Sequence, residues 1–452
     1  MDLSGIRITT KQLLRNGKPS FEQLKEALPY CKELYDAFPE TNDLWDAHQY
    51  ANCLKQLGNL DEAEFVCNEV YQLFADKDKT EEQEKPWLYI KKLYAWIIYE
   101  KYIKALRSSE AQINVGIIID KMIILAELVC QGEQGGPSLS YCIIQSIKYA
   151  LKSEESFDFE KGLLLLKKLD CEKLSREEKC FTDQTGKERK LASEIEDYYN
   201  IKSEILLKCN HFDECIACCS DAIERIPQFH YDNEVWFNRR IAKAFDGLGD
   251  IDKAIATLNK LTIVSDKWFL LSEIGNCYYR KKDYNTALVY YLRAACTKDP
   301  EKMKVALIES IGDVSTILKD QLFAQLNYLL AKTIRENNGW FIKATLKRKI
   351  KEEKEVSFKE VRTQWIKKLY ELVGEKKGTV SKLFPRSSGG FIQIDNNSYY
   401  FQSKNFLGRV NLLKIGDEVR FIIVDSYDKK RQQNTKEAVA ITPQKNLSHN
   451  FR

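Results

Sequence analysis

The chain has 452 residues with Lys+Arg 70 against Asp+Glu 66, a formal net charge of +4, so it exceeds one comfortable core and is no wholesale polycation. Its 13 cysteines are an odd number scattered through apolar stretches, which argues against a disulfide framework and for the reduced thiols of a cytoplasmic protein. The opening "MDLSGIRITTKQLLRNGK" lacks the basic-then-apolar order of a secretory signal, and the most apolar run, "INVGIIIDKMIILAELVC", is broken by Asp120 and Lys121, so no membrane association is expected.

Residues 1–80 read as N-terminal helical repeats, where "LKQLGNLDEAEFVCNEVY" places Gly58 five residues before Ala63. Residues 81–195 carry amphipathic helical patterns without a clean frame and are expected to form a degenerate helical region. Between 196 and 336 a frame recurs. "GLGDIDKAIATLNKL" sets Gly249 before Ala254, and "KKDYNTALVYYLRAA" repeats the layout at Ala287, 33 residues on. Gly312, Ala324, Tyr328 and Ala331 fall in register with Gly275, Ala287, Tyr291 and Ala294, and "CNHFDECIACCSDAIERIP" has the same layout upstream.

This frame resembles the tetratricopeptide repeat, a helix–turn–helix unit of about 34 residues. Small residues midway along the first helix (Ala242, Gly275, Gly312) and early in the second (Ala254, Ala287, Ala324) let paired helices approach closely, while Phe245, Tyr278 and Tyr291 fill the space beside them. Stacked units make a solenoid whose first helices line a groove. The resemblance implies that Arg239 and Lys243 on one first helix, with Asn276 and Arg280 on the next, bind a protein partner through an acidic peptide, with Glu309 and Asp313 offering the opposite charge further along. The other reading of the same residues is a solvated helix face.

Two clusters invite chemistry that the pattern does not support. Cys209, His211, Cys215, Cys218 and Cys219 suggest zinc, yet Cys215, Cys218 and Cys219 fall on the packing stripe of a repeat helix, where thiols act as small hydrophobes. "QGEQGGPS" is rich in glycine but lacks the Lys-Ser/Thr ending of a phosphate loop and reads as a helix connector. No cofactor, metal or catalytic residue is expected, and the chain reads as a non-enzyme.

Residues 337–376 are expected to form two basic capping helices. Trp340, Phe341, Ile342, Leu346 and Ile350 keep helical spacing, as do Val361, Trp365, Ile366 and Leu369, with Ser357 and Glu360 as a capping pair. Lys347 and Arg348 lie on a basic face able to follow phosphates, and a solvated cap is the other reading.

From 377 to 445 the period changes to alternation, giving five strands at 378–384, 390–394, 398–402, 418–426 and 438–442 and then a tail at 446–452. "GGFIQIDNNSYYFQ" is a hairpin signature. With "GTVSKLF", "IGDEVRF" and "EAVAI", this stretch resembles the cold-shock domain, an oligonucleotide-binding fold. The resemblance implies single-stranded RNA or DNA as ligand, with Phe391 and Tyr400 at stacking positions and Lys382 at a basic one. Phe384, Arg386, Gln402 and Lys404 complete the expected set around the strands. Leu383, Gly389, Gln402 and Ser403 stand where the family has Trp, an aromatic, His and an aromatic.

The sequence therefore predicts a mainly α protein: a tetratricopeptide-like helical-repeat solenoid followed by a small C-terminal five-stranded β-barrel. The expected role is a non-enzymatic adaptor joining a protein partner to single-stranded nucleic acid. The alternative is a purely protein-binding scaffold whose barrel no longer binds nucleic acid.

Overall fold

The computed structural model describes residues 2–15, 19–108, 112–183, 185–265, 267–352, 354–385, 388–428, 431 and 433–444. Among the described residues nineteen α-helices precede a closed five-stranded barrel, and the architecture is a tetratricopeptide-like solenoid with a C-terminal barrel, as the repeat frame and the alternating segment predict. Two compact units divide the chain, 1–233 and 234–452. Among the described residues no helix is long and apolar enough to cross a membrane.

The first unit contains α1 (Leu3–Leu13), α2 (Phe21–Asp36), α3 (Phe38–Thr41), α4 (Leu44–Gln56), α5 (Leu60–Phe74), α6 (Glu81–Ile98), α7 (Val115–Leu128), α8 (Leu139–Ala150) and α9 (Phe159–Leu166). A short hairpin, β1 (Lys179–Thr182) with β2 (Glu188–Leu191), leads to α10 (Glu194–Lys208) and α11 (Phe212–Arg225). This hairpin was not anticipated within the helical region. Seven of its eight strand residues are exposed, so it has no apolar face to produce an alternating pattern. Cys215, Cys218 and Cys219 are buried in α11, and the Cys215 thiol donates to the Ser203 carbonyl at 3.3 Å. "QGEQGGPS" joins α7 to α8, its Gln134 and Gly135 carbonyls accepting from Lys92 Nζ and Trp96 Nε1 of α6.

The second unit begins with the body of α12 (Asn233–Gly247), followed by α13 (Ile251–Val264), α14 (Trp268–Arg280), α15 (Tyr284–Ala295), α16 (Val305–Ile317) and α17 (Gln321–Asn337). One turn geometry recurs in both units. Gly58, Asn210, Gly249, Lys282 and Lys319 are left-handed, with φ from 60° to 86°, between α4 and α5, α10 and α11, α12 and α13, α14 and α15, and α16 and α17. After each, the next backbone N–H bonds back five residues, for example Asp250 to Phe245 at 2.8 Å and Asp320 to Ser315 at 2.9 Å. That closure satisfies carbonyls at the end of the first helix, and Asp250, Asp283 and Asp320 then cap the second. The Gly58 turn thus belongs to the same class as the central repeats.

Close approach within each pair depends on the small residues. A Cβ on Gly275 would stand 2.5 Å from the Tyr291 ring, and one on Gly312 would stand 2.4 Å from the Tyr328 ring. The tyrosines occupy the space the missing side chains leave, and their hydroxyls donate to Asn276 and Asp313, both at 2.7 Å.

The expected helix around 340–350 is much shorter. Only α18 (Ala344–Lys349) is helical; Gly339 turns the chain with φ +67°, and Trp340–Lys343 have no regular secondary structure before it. The second basic helix forms as expected, α19 (Phe358–Val373), with Ser357 accepting from the Glu360 N–H. It packs on α15 and α17.

The barrel consists of β3 (Lys376–Leu383), β4 (Gly389–Ile394), β5 (Asn397–Gln402), β6 (Glu418–Asp428) and β7 (Gln433–Pro443). Its order is β3-β4-β5-β7-β6, closing through antiparallel β3–β6, with β5 and β7 parallel. Val380, Ile392, Phe401, Val419, Phe421 and Ile441 fill its interior. A second core binds the barrel to the helices: Leu407, Ile422, Val439 and Ala440 join Trp365, Ile366 and Leu369 of α19 and side chains of α15–α17. The Tyr370 hydroxyl sits at that junction, donating to the Ala440 carbonyl at 2.7 Å.

Two measurements check these contacts. Gly312→Leu forces the Tyr328 ring out of its place and should cost about 1–3 kcal/mol in urea unfolding. In α4, His48 lies between Trp45 and Tyr89 at ring distances of 5.8 Å, and burial lowers its pKa to about 4. The unfolded chain then binds the extra proton between the ordinary 6.5 and about 4, so stability falls as pH drops through that window. His48→Gln should flatten this loss in unfolding midpoints measured across it.

Candidate nucleic-acid interface and repeat groove

The barrel's outer surface gathers its aromatics in one row. A bulge between Val380 and Lys382 sets Lys382 opposite Phe391, and Phe391 stands opposite Tyr400, so the three share one face across β3, β4 and β5. Their sequence neighbours Ile392 and Phe401 point inward. Leu383 also packs toward the interior, and Phe384, just beyond β3, brings the first strand's ring to the surface. The centroids of Phe384, Phe391 and Tyr400 are 5.7, 5.9 and 6.3 Å apart, with all three rings half-buried. Lys382 Nζ lies 5.8 Å from the Phe384 centroid and is exposed.

Gly389 and Gly390 are required by the same crowding. A Cβ at Gly389 would meet the Phe401 carbonyl at 2.4 Å, and one at Gly390 would meet the Lys382 carbonyl at 2.1 Å. No ring fits at 389, so the platform is built from three side chains. Gln402 pairs with Gly389 at its edge. Arg386 lies outside the described residues, as does the tail.

Glu437 of β7 lies beside Tyr400 in the parallel pairing. Its carboxylate accepts from Asn405 Nδ2 at 2.8 Å and Ser426 Oγ at 3.1 Å. Burial raises its pKa, while those bonds and the charges of Lys404 and Arg293 hold it down. The structure thus sets Lys404 close enough to this carboxylate for its charge to act on it. Lys347 and Arg348 are exposed on α18, whereas Lys349 beside them is paired with Asp313 at 2.5 Å.

The groove residues lie on α12, α14 and α16, and each has a partner inside the protein. Arg239 grips Glu273 with Nε at 2.9 and 3.0 Å from its two oxygens, and its guanidinium lies 4.9 Å from the rings of both Trp236 and Phe269. Lys243 Nζ is 3.4 Å from the same carboxylate. Arg280 pairs with Asp246, Asn276 accepts from Tyr291, and Arg335 takes Glu309 at 2.7 Å. Sequence spacing placed these cations on one face but could not reveal Glu273, 34 residues from Arg239, as their shared counter-ion.

No protein-family model matches the sequence, and no curated protein matches it. Among solved structures the chain is similar to a human IFIT1 dimer with PPP-AAAA, at 11% identity and TM-score 0.33, over 78% of this chain and 70% of that one. It is also similar to YrrB, a TPR protein with an unusual peptide-binding site, at 12% identity and TM-score 0.21, over 58% and 91% of the two chains. A third is the C-terminal part of a TPR repeat-containing protein from Cytophaga hutchinsonii, at 13% identity and TM-score 0.27, over 78% and 100%. At these TM-scores the likenesses are loose, and the repeat assignment rests on the helix pairs and turns described above.

The groove geometry predicts a gain of binding. Glu273→Gln releases Arg239 and Lys243 from their common carboxylate, so a labelled polyglutamate peptide should bind the variant more tightly than the parent protein, and the difference should shrink as salt is added. Equal affinity for both would show that these cations do not face the peptide.

Proposed function

We propose that the protein is a non-enzymatic adaptor whose barrel, an oligonucleotide-binding fold of the cold-shock type, stacks the bases of single-stranded RNA or DNA, and whose repeat groove holds a protein partner. The observation that carries the barrel reading is the row of Lys382, Phe391 and Tyr400 with Phe384 beside it. Three rings on adjoining strands suit unpaired bases, because every base has a π-face and a duplex hides it. Strand order supports the same reading. The parallel contact between the third and fifth strands, with closure of the first on the fourth, is the arrangement whose second and third strands carry the ligand face in oligonucleotide-binding folds.

Exposed Lys382 at the platform, with Lys347 and Arg348 on α18, supplies phosphate contacts that depend on salt and not on base identity. For the groove, capture of an acidic peptide requires it to compete with Glu273 and Asp246 for Arg239, Lys243 and Arg280. Those internal pairs also favour a second reading, in which the groove takes a partner by shape and apolar contact and the protein acts as a scaffold alone.

Fluorescence anisotropy of labelled single strands separates these possibilities. Stacking on one ring is worth about 1–3 kcal/mol per base, so Phe391→Ala with Tyr400→Ala should weaken binding by at least about tenfold. Both side chains are outside the barrel core, and the thermal melt should stay close to that of the parent. No binding by either at low salt would leave the scaffold reading, and equal binding by both would place the strand away from these two rings and overturn the platform.

A further inference from the structure

The segment that replaces the expected helix at 339–351 is held at both ends and presents its side chains in two directions. At its start, Trp340 N–H donates to the Arg335 carbonyl at 2.8 Å, and Arg335 Nη1 reaches the Phe341 carbonyl at 3.4 Å. At its end, Gln325 of α17 donates to the Lys349 carbonyl at 2.8 Å and accepts from the Lys351 N–H at 2.9 Å. Between these anchors Leu346 is buried and Ile342 packs on the same core. The strap is therefore fixed along the last repeat.

Its outward side combines rings with positive charge. Phe341 is 80% exposed and Trp340 43%, adjacent aromatics that a soluble chain ordinarily covers. Lys343, Lys347 and Arg348 are exposed beside them, and no acidic residue occurs from 337 to 351. A partner that covers this surface needs π-faces and negative charge along one extended path. Unpaired nucleic acid has both, and the anchored backbone limits the ordering that binding requires.

We propose that this strap is a second contact for the strand that the barrel holds, with Trp340 and Phe341 stacking bases while Lys343, Lys347 and Arg348 neutralise phosphates. The proposal rests on the nucleic-acid reading of the barrel and adds a second point of attachment. Two contacts on one strand act by avidity, so the strap matters only for strands long enough to reach both.

The test uses the full chain and two labelled oligonucleotides, one of about 4 nucleotides, within the footprint of a single oligonucleotide-binding barrel, and one of about 25. Trp340→Ala with Phe341→Ala should weaken the long strand about tenfold and leave the short one unchanged, with Phe341→Tyr retaining binding. Lys347→Ala with Arg348→Ala should reduce the slope of log affinity against log salt by about 1.4 for the long strand. Unchanged long-strand affinity in the aromatic variant, while Phe391→Ala with Tyr400→Ala still weakens it, would overturn the strap and leave the barrel reading intact. Absence of strand binding by the parent protein would overturn both. Loss of co-sedimentation with phosphatidylserine vesicles, with strand binding intact, would overturn the proposal by assigning the strap to a membrane surface.

Discussion

The second unit depends on one shared core, organised around Trp365. This indole is fully buried, and its N–H donates at 2.7 Å to Asn327 Oδ1, itself buried in α17. Around it, side chains of α15, α16 and α17 meet Val361, Ile366 and Leu369 of α19 and then the barrel residues Leu407, Ile422, Val439 and Ala440. Tyr370 extends the junction with hydrogen bonds to the Ala440 and Arg420 carbonyls and to Thr442. An apolar core of this continuity fixes the barrel against the last repeats, in contrast to domains joined by a flexible linker.

Two surfaces with different chemistry result. On the barrel, inward residues hold the strands together while the alternate residues, rings and Lys382, are left half-buried or exposed. In the groove, charge is balanced internally: Glu273 answers Arg239 and Lys243, Asp246 answers Arg280, and Asp313 answers Lys349. An ion pair at a partly exposed surface contributes little to stability, but it does set how much a charged ligand must displace. On the strap, by contrast, Lys343, Lys347 and Arg348 are exposed next to exposed rings, in a stretch with no acidic residue from 337 to 351.

Much of this was legible in the residues. The Gly–Ala–Tyr spacing of the repeats reflects direct contacts, since Gly275 and Gly312 face the rings of Tyr291 and Tyr328. Strand positions in the barrel were also readable, because the interior takes every second side chain, Ile392 and Ile394 from β4 and Tyr399 and Phe401 from β5. The exposed hairpin at β1 and β2 was not, having no such face. Helical spacing from Trp340 to Ile350 was misleading for a related reason: Ile342 and Leu346 lie inward at the same interval in an only partly helical strap. At the platform, spacing identified Phe391 and Tyr400, but only the bulge after Val380 explains how Phe384 joins them while Leu383 turns inward. Counter-ions and the Trp365 core link residues far apart in the chain, a kind of information that local patterns do not hold.

Ultraviolet crosslinking of a 4-thiouridine-substituted single strand to the full chain, followed by mass-spectrometric mapping of the modified peptides, tests the central assignment most directly. Adducts confined to peptides carrying Phe384, Phe391 or Tyr400, with or without the strap around Phe341, are the predicted result. Efficient crosslinking to the groove helices, with the barrel peptides unmodified, would contradict it.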